Sequence, residues 1–190
     1  GNLSEDYLFM AKWVGLYTHR HEKDYFMLRT KQPNGFVTPE QLDTVADITE
    51  KQNKGYADIT TRQDFQLHWV HVPQAVAVLN RLSSVGISTR GACGDVLRNV
   101  VGCPVAGVDK DELFDTGPVA QAVSDFFLGN PEYADLPRKY KIGIMACTAW
   151  CAHPEIQCVA LTGATRKVSA KGGSASGGAG STETGFDLRV

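Results

Sequence analysis

The most constraining feature of this chain is a strand-then-helix unit that occurs twice between residues 25 and 86. Tyr25 to Lys31, YFMLRTK, alternates as a half-buried strand and stops at the turn QPNG, residues 32–35. Thr38-Pro39-Glu40-Gln41 then reads as a capping box with proline at the first helical position, and Leu42, Val45 and Ala46 supply an apolar stripe to about Lys51. A second strand follows over 56–70, with Phe65, Leu67 and Trp69 alternating against Gln66 and His68. Pro73 opens a second helix, with Val78, Leu79, Leu82 and Val85 on one face and Gly86 as its stop. A β-α-β-α order of this kind is half of an α+β layer arrangement.

Beyond Gly86 the texture changes. STRGACGDVLRNVVGCPVAG, residues 88–107, carries glycines at 91, 94, 102 and 107, more than a core strand needs and suited to close backbone approach to a ligand. Thr116-Gly117-Pro118 starts a helix that runs to Phe127, LGNPEYADLPRKY is a loop, and KIGIMAC (141–147) and CVALTGA (158–164) read as buried strands. The Gly/Ser-rich stretch 169–185 has the composition of a linker, and GFDLRV looks like a strand that has only begun.

Composition narrows the function. With 190 residues, 43% of them hydrophobic, the chain can bury a real core, and its net charge of −2 is not that of a general nucleic-acid or membrane binder. No 18-residue apolar run and no signal peptide are visible. Five cysteines, an odd number, argue against a disulfide scaffold and for a reducing compartment such as the cytoplasm. Cys147 and Cys151 have C-x3-C spacing with His153 behind them, but a second ligand pair would have to be Cys93 and Cys103. Buried structural thiols are the reading these spacings favour, and no metal is expected on Cys147 and Cys151. The glycines form neither a dinucleotide fingerprint nor a P-loop.

Six cations occupy positions where a strand or a Gly-rich loop would hold them: Arg29, Arg62, Arg98, Arg138, Lys139 and Lys141. Lys139 and Lys141, two apart, share a face if that stretch is extended. Like charges gathered in one pocket repel unless an anion fills it, so a basic pocket on a near-neutral protein points to a small anionic ligand.

The segments MLR (27–29), TTRQDFQL (60–67), GACGDVLRNVVGCPVAG (91–107), LPRKYK (136–141), HPEI (153–156) and GFDLRV (185–190), in that order and over nearly the whole chain, resemble the sirohaem-dependent sulfite and nitrite reductases. The resemblance implies an α+β fold: a ferredoxin-like half domain over 1–86, then the first sirohaem-binding domain over 87–190, truncated and carrying the Gly/Ser-rich segment. It implies that Arg29, Arg98, Lys139 and Lys141 surround the substrate anion. Thr60, Thr61, Arg62, Gln66 and Arg138 are matched to the contacts of the sirohaem carboxylates, a task that suits the bidentate guanidinium. The family's 4Fe-4S cluster is held by four cysteines of a second repeat, as C-x5-C and C-x3-C, and nothing here matches that C-x5-C. The activity implied is six-electron reduction of sulfite to sulfide or nitrite to ammonia, fed by ferredoxin and completed by a missing C-terminal half. LPRKYK leans to sulfite; Asp58 and its TTRQ context lean back to nitrite. The alternatives are a precorrin-modifying relative, or a non-catalytic half-protein that self-associates as a homodimer and binds a tetrapyrrole.

Overall fold

The computed structural model describes residues 3–19, 22, 24–168 and 181–190. Helix α1 (Glu5–Trp13) starts at Ser4, whose hydroxyl accepts from the Tyr7 amide. It leads into strand β1 (Leu16–Thr18), which pairs antiparallel with β2 (Tyr25–Arg29). The capping box forms as expected: Gln41 N–H donates to the Thr38 hydroxyl and Thr38 N–H to the Gln41 side chain, opening α2 (Pro39–Gln52). Its buried stripe is Thr44, Val45, Ile48 and Thr49; Leu42 and Ala46, read as part of that stripe, are exposed.

The expected single strand over 56–70 is two strands and a turn. β3 (Ala57–Ile59) and β4 (Phe65–His71) pair antiparallel around Thr60–Asp64, so Arg62 sits in a hairpin turn and not on a strand. Within β4 the alternation also breaks. Trp69 takes a left-handed φ of 54°, the register against β2 shifts there, and Val70, not Trp69, joins Phe65 and Leu67 inside. One extra residue in a strand rotates everything beyond it to the other face, which a period-2 reading cannot foresee. A 3-10 turn at Val72–Gln74, containing Pro73, precedes α3 (Ala75–Ser84).

The first sheet has the order β1-β2-β4-β3, all antiparallel. Helices α2 and α3 pack on β4 and on each other, closing a core around Leu28, Leu67, Val70, Val78 and Leu82. A second sheet is built from β5 (Ile142–Met145), β6 (Val159–Val168) and β7 (Ser181–Arg189). β5 runs parallel to β6, and β6 antiparallel to β7. Residues 97–101 lie along the free side of β5 through parallel bridges Leu97↔Tyr140 and Val101↔Gly143. Helix α4 (Gly117–Phe127) covers this layer, with Leu97, Val100, Ala120, Ile142 and Ile144 inside. Of the stretch read as a linker, 169–180 lie outside the described residues. Residues 181–185 are strand, because β6 offers nine partners from Ala160 to Val168 and the chain pairs with all of them.

Candidate functional site

The hairpin turn and the Gly-rich segment are locked together, and the cations sit along that seam. In the turn, the Thr60 hydroxyl donates to the Asp64 carboxylate at 2.7 Å and accepts from the Arg62 amide at 3.0 Å. Gln63, at φ 58°, uses its side-chain amide as a substitute peptide. Its nitrogen donates to the Gly102 carbonyl and its oxygen accepts from the Gly102 N–H, both at 2.9 Å. A Cβ at 102 would lie 1.4 Å from the Asn34 side-chain oxygen, so any larger residue there requires the buried Asn34 side chain to move. The Asn99 amide donates to the carbonyls of Gln32 at 2.7 Å and Arg62 at 2.8 Å.

Arg62 turns into this seam. Its guanidinium donates to Gln157 Oε1 at 3.0 Å and to the Asn99 carbonyl, while its Nε is buried without a partner. Arg98 is gripped from within its own segment: Nη1 donates to the Ala92 carbonyl at 3.0 Å, and Nε and Nη2 to the Gly94 carbonyl at 3.1 and 2.9 Å. The left-handed φ of Gly94, 87°, is what wraps the turn around the guanidinium. Arg29 on β2 lies opposite Gln66 on β4, which lies opposite Asp58 on β3, so three strands present one polar row. Arg29 Nε donates to Gln66 Oε1 at 3.0 Å and stands 3.9 Å from Asp64.

These side chains surround three neighbouring cavities. One, of about 500 Å³, is lined by Arg29, Arg98, Lys139, His19, His68 and Cys93 among others. A second, of about 470 Å³, is lined by Arg29, Arg98, Arg62, Thr60, Thr61 and Gln66, with Asp58 and Asp64. A third, of about 460 Å³, brings Arg98 together with Arg138 and Lys139. Arg98 lines all three. Lys141, expected beside Lys139, is not among the residues lining these three; its carbonyl accepts from the Cys158 and Val159 amides where the chain enters β5.

Three participants escaped the sequence reading. Lys31 is buried, its Nζ donating to the Leu97 carbonyl at 3.2 Å; burial, then Arg98 and Arg62, push its ammonium down to about 8. Asp64 is buried among the arginines. Burial pushes its carboxyl up, against the Thr60 hydrogen bond and the pull of Arg29, Arg62 and Arg98. His68 Nε2–H donates to the Asp58 carboxylate at 2.9 Å, and the pair links the first cavity to the second. Burial also lowers the pKa of Arg62 and of Arg98, though both remain cations at neutral pH. The site therefore holds more buried positive charge than Asp64 balances.

The thiols arrange differently from their spacing. Cys147 pairs with Cys103, Sγ to Sγ 3.4 Å, and Cys151 is exposed. Among the described residues the metal-donor side chains that gather within 4.8 Å of one another are Cys103, Cys147 and Asp109. No described helix is long and apolar enough to cross a membrane.

Comparison with known proteins agrees with this architecture. Residues 17–85 match the nitrite/sulfite reductase ferredoxin-like half domain, and residues 93–188 the nitrite and sulphite reductase 4Fe-4S domain. An assimilatory ferredoxin-dependent nitrite reductase of Haloferax mediterranei is 32% identical over 94% of this chain and 31% of its own length. A chloroplastic ferredoxin–nitrite reductase of Oryza sativa is 38% identical over 85% of the chain and 28% of its own length. A ferredoxin sulfite reductase of Mycolicibacterium paratuberculosis is 35% identical over 70% of the chain and 27% of its own length. The solved structure of Mycobacterium tuberculosis NirA protein superposes with a TM-score of 0.81 at 30% identity, covering 98% of this chain and 34% of that one. The chain thus spans about a third of the length of the relatives it matches. By its two domains, its fold and these relatives, the chain belongs to the sirohaem-type nitrite/sulfite reductase family, whose cofactors are sirohaem and a 4Fe-4S cluster, and it carries the domain pair of that family's N-terminal half.

Proposed function

We propose that this chain is the anion- and macrocycle-binding part of an assimilatory nitrite or sulfite reductase, reducing nitrite to ammonia or sulfite to sulfide with electrons from ferredoxin. The observation that carries the reading is Arg98, held by backbone carbonyls with N–H groups to spare and shared by three cavities that also take in Arg29, Arg62, Arg138 and Lys139. The residues fit sirohaem: the orphaned Nε of Arg62 and the surplus of buried cations call for a carboxylate-rich partner. Sirohaem supplies the iron at which the anion is reduced.

In this reading Arg62, Thr60, Thr61, Gln66 and Arg138 hold the macrocycle carboxylates. Arg29 and Arg98 fix the substrate anion, since a guanidinium stays charged throughout, and Lys139 Nζ passes protons to the oxygens that leave as water. Lys141 keeps a substrate role by resemblance alone. A pocket with preset positive charge favours the anion without reorganising at each electron step. The domain division falls between residues 86 and 87, the place of action is the cytoplasm, and the remaining half of the enzyme brings the cluster thiolates.

The test is a titration of sirohaem into the chain, followed by a reduced-viologen assay with each anion. Sirohaem is expected to bind through its carboxylates, Arg98→Gln and Arg62→Gln are each expected to weaken binding at least tenfold, and neither anion is expected to turn over. Binding indifferent to both substitutions would remove the site assignment, and sustained turnover would remove the need for a second half.

A further inference from the structure

Two parallel segments end side by side in the second layer. Val101 bridges Gly143, with the Ile144 amide donating to the Val101 carbonyl at 2.8 Å. Cys103 follows two residues beyond Val101, and Cys147 two residues beyond the end of β5, so the two side chains leave the same edge of the sheet. The loop after Cys103 folds back over that edge. The Asp109 amide donates to the Val105 carbonyl at 3.0 Å, Glu112 accepts from the Gly107 amide, and the Leu113 amide reaches the Ala146 carbonyl at 3.0 Å, beside Cys147. This places a carboxylate oxygen of Asp109 within 4.8 Å of both sulfurs. Asp109 Oδ1 accepts from the Asp111 amide, which orients the carboxylate.

We propose that Cys103, Cys147 and Asp109 form a binding site for a single thiophilic divalent cation of the zinc class. Both sulfurs are buried, as few as 2% and 4% of each residue being exposed, and their separation of 3.4 Å is near the about 3.8 Å that two thiolates keep on a tetrahedral zinc. A disulfide would need them to close to about 2.05 Å and an oxidant to take the electrons. Binding deprotonates both thiols and releases two protons to solvent; the cation then faces two thiolates and one carboxylate, with a fourth position open. The donor set holds two buried thiolates and a hard oxygen, which suits one ion and not an iron–sulfur cluster.

The 190-residue chain, reduced with a phosphine under nitrogen, is titrated with cobalt(II) and then with zinc. The expected result is one equivalent of tetrahedral cobalt with sulfur-to-cobalt charge-transfer absorption, displaced by zinc. Cys103→Ser and Cys147→Ser abolish that absorption, Asp109→Asn weakens binding with the absorption kept, and Cys158→Ser changes nothing. Circular dichroism confirms that each variant is folded, and a zinc-dependent rise in melting temperature that is smaller in Asp109→Asn than in the parent at the same zinc concentration gives a readout independent of the thiol variants. Absence of charge-transfer absorption in the reduced parent, its persistence in both thiol variants, or assembly of a four-iron cluster from iron and sulfide in place of one cobalt would each overturn the proposal.

Discussion

At the scale of single residues, the most unusual group is Lys31. Its folded value of about 8, against an ordinary 10.5, means that its charge is disfavoured by burial and by Arg98 and Arg62. Below pH 8 the lysine is charged in both states and the cost, on the order of 3 kcal/mol, is present in full. Between pH 8 and 10.5 the unfolded chain binds a proton that the folded chain does not, so this contribution to stability rises with pH. Lys31→Met removes the charge and also the hydrogen bond to the Leu97 carbonyl, worth about 1 kcal/mol. The variant is expected to be about 2 kcal/mol more stable than the parent at pH 7 and about 1 kcal/mol less stable near pH 10.5, as read from denaturant melts at both pH values. A difference that stays constant across that range would show that Lys31 is not buried as a cation. None of this was legible in the sequence, where a lysine closing a strand just before a turn carries no sign of burial. Arg29 and Arg98, by contrast, could be singled out from their positions on a strand and in a Gly-rich loop, and both line the same cavities. Lys31, Asp64 and the Cys103–Cys147 pair depend on segments more than thirty residues apart, which no local pattern encodes.

Among the elements, those whose ends are fixed by local chemistry were the readable ones. The capping box of α2, the start of α4 at Thr116-Gly117-Pro118 and the buried run of β5 all rest on neighbours in the chain. The hairpin between β3 and β4 was missed because its tip, TTRQD, lacks glycine, proline and asparagine. Gln63 accepts a left-handed backbone there through the two bonds of its side chain to Gly102, a partner far along the chain. The α2 cap gives a graded test. Thr38→Ala removes one acceptor for an end N–H and is expected to cost about 1 kcal/mol. Gln41→Ala also removes the bond from Gln41 Nε2 to the Val85 carbonyl at the end of α3, so it is expected to cost about 2 kcal/mol. Urea titrations of both variants check the order; a larger loss in Thr38→Ala would place the cap, not the helix-to-helix tie, as the stronger restraint.

For the molecule as a whole, two cores meet along a polar seam. The apolar clusters of the first sheet and of the second do not merge; Arg62, Gln63, Asn99 and Lys31 bridge them with side-chain-to-backbone hydrogen bonds. The α+β class was legible from the periodic pattern of the first half, and the domain order came from the family resemblance; the seam is polar and aperiodic, and of the residues that bridge it only Arg62 was singled out in the sequence. β7 is the element that this arrangement leaves least covered. It stands at the end of its sheet, and Leu188 is largely exposed. Among the described residues no strand pairs with its outer side. Nine residues of open backbone accept another strand. The chain is expected to elute at a rising apparent mass as its concentration increases in size-exclusion chromatography, and Leu188→Lys is expected to suppress that rise; a parent that stays monomeric at high concentration would mean the edge is shielded. If the apparent mass does rise, association spreads along β7 without either core unfolding, and dilution alone should reverse the thickening of a concentrated stock.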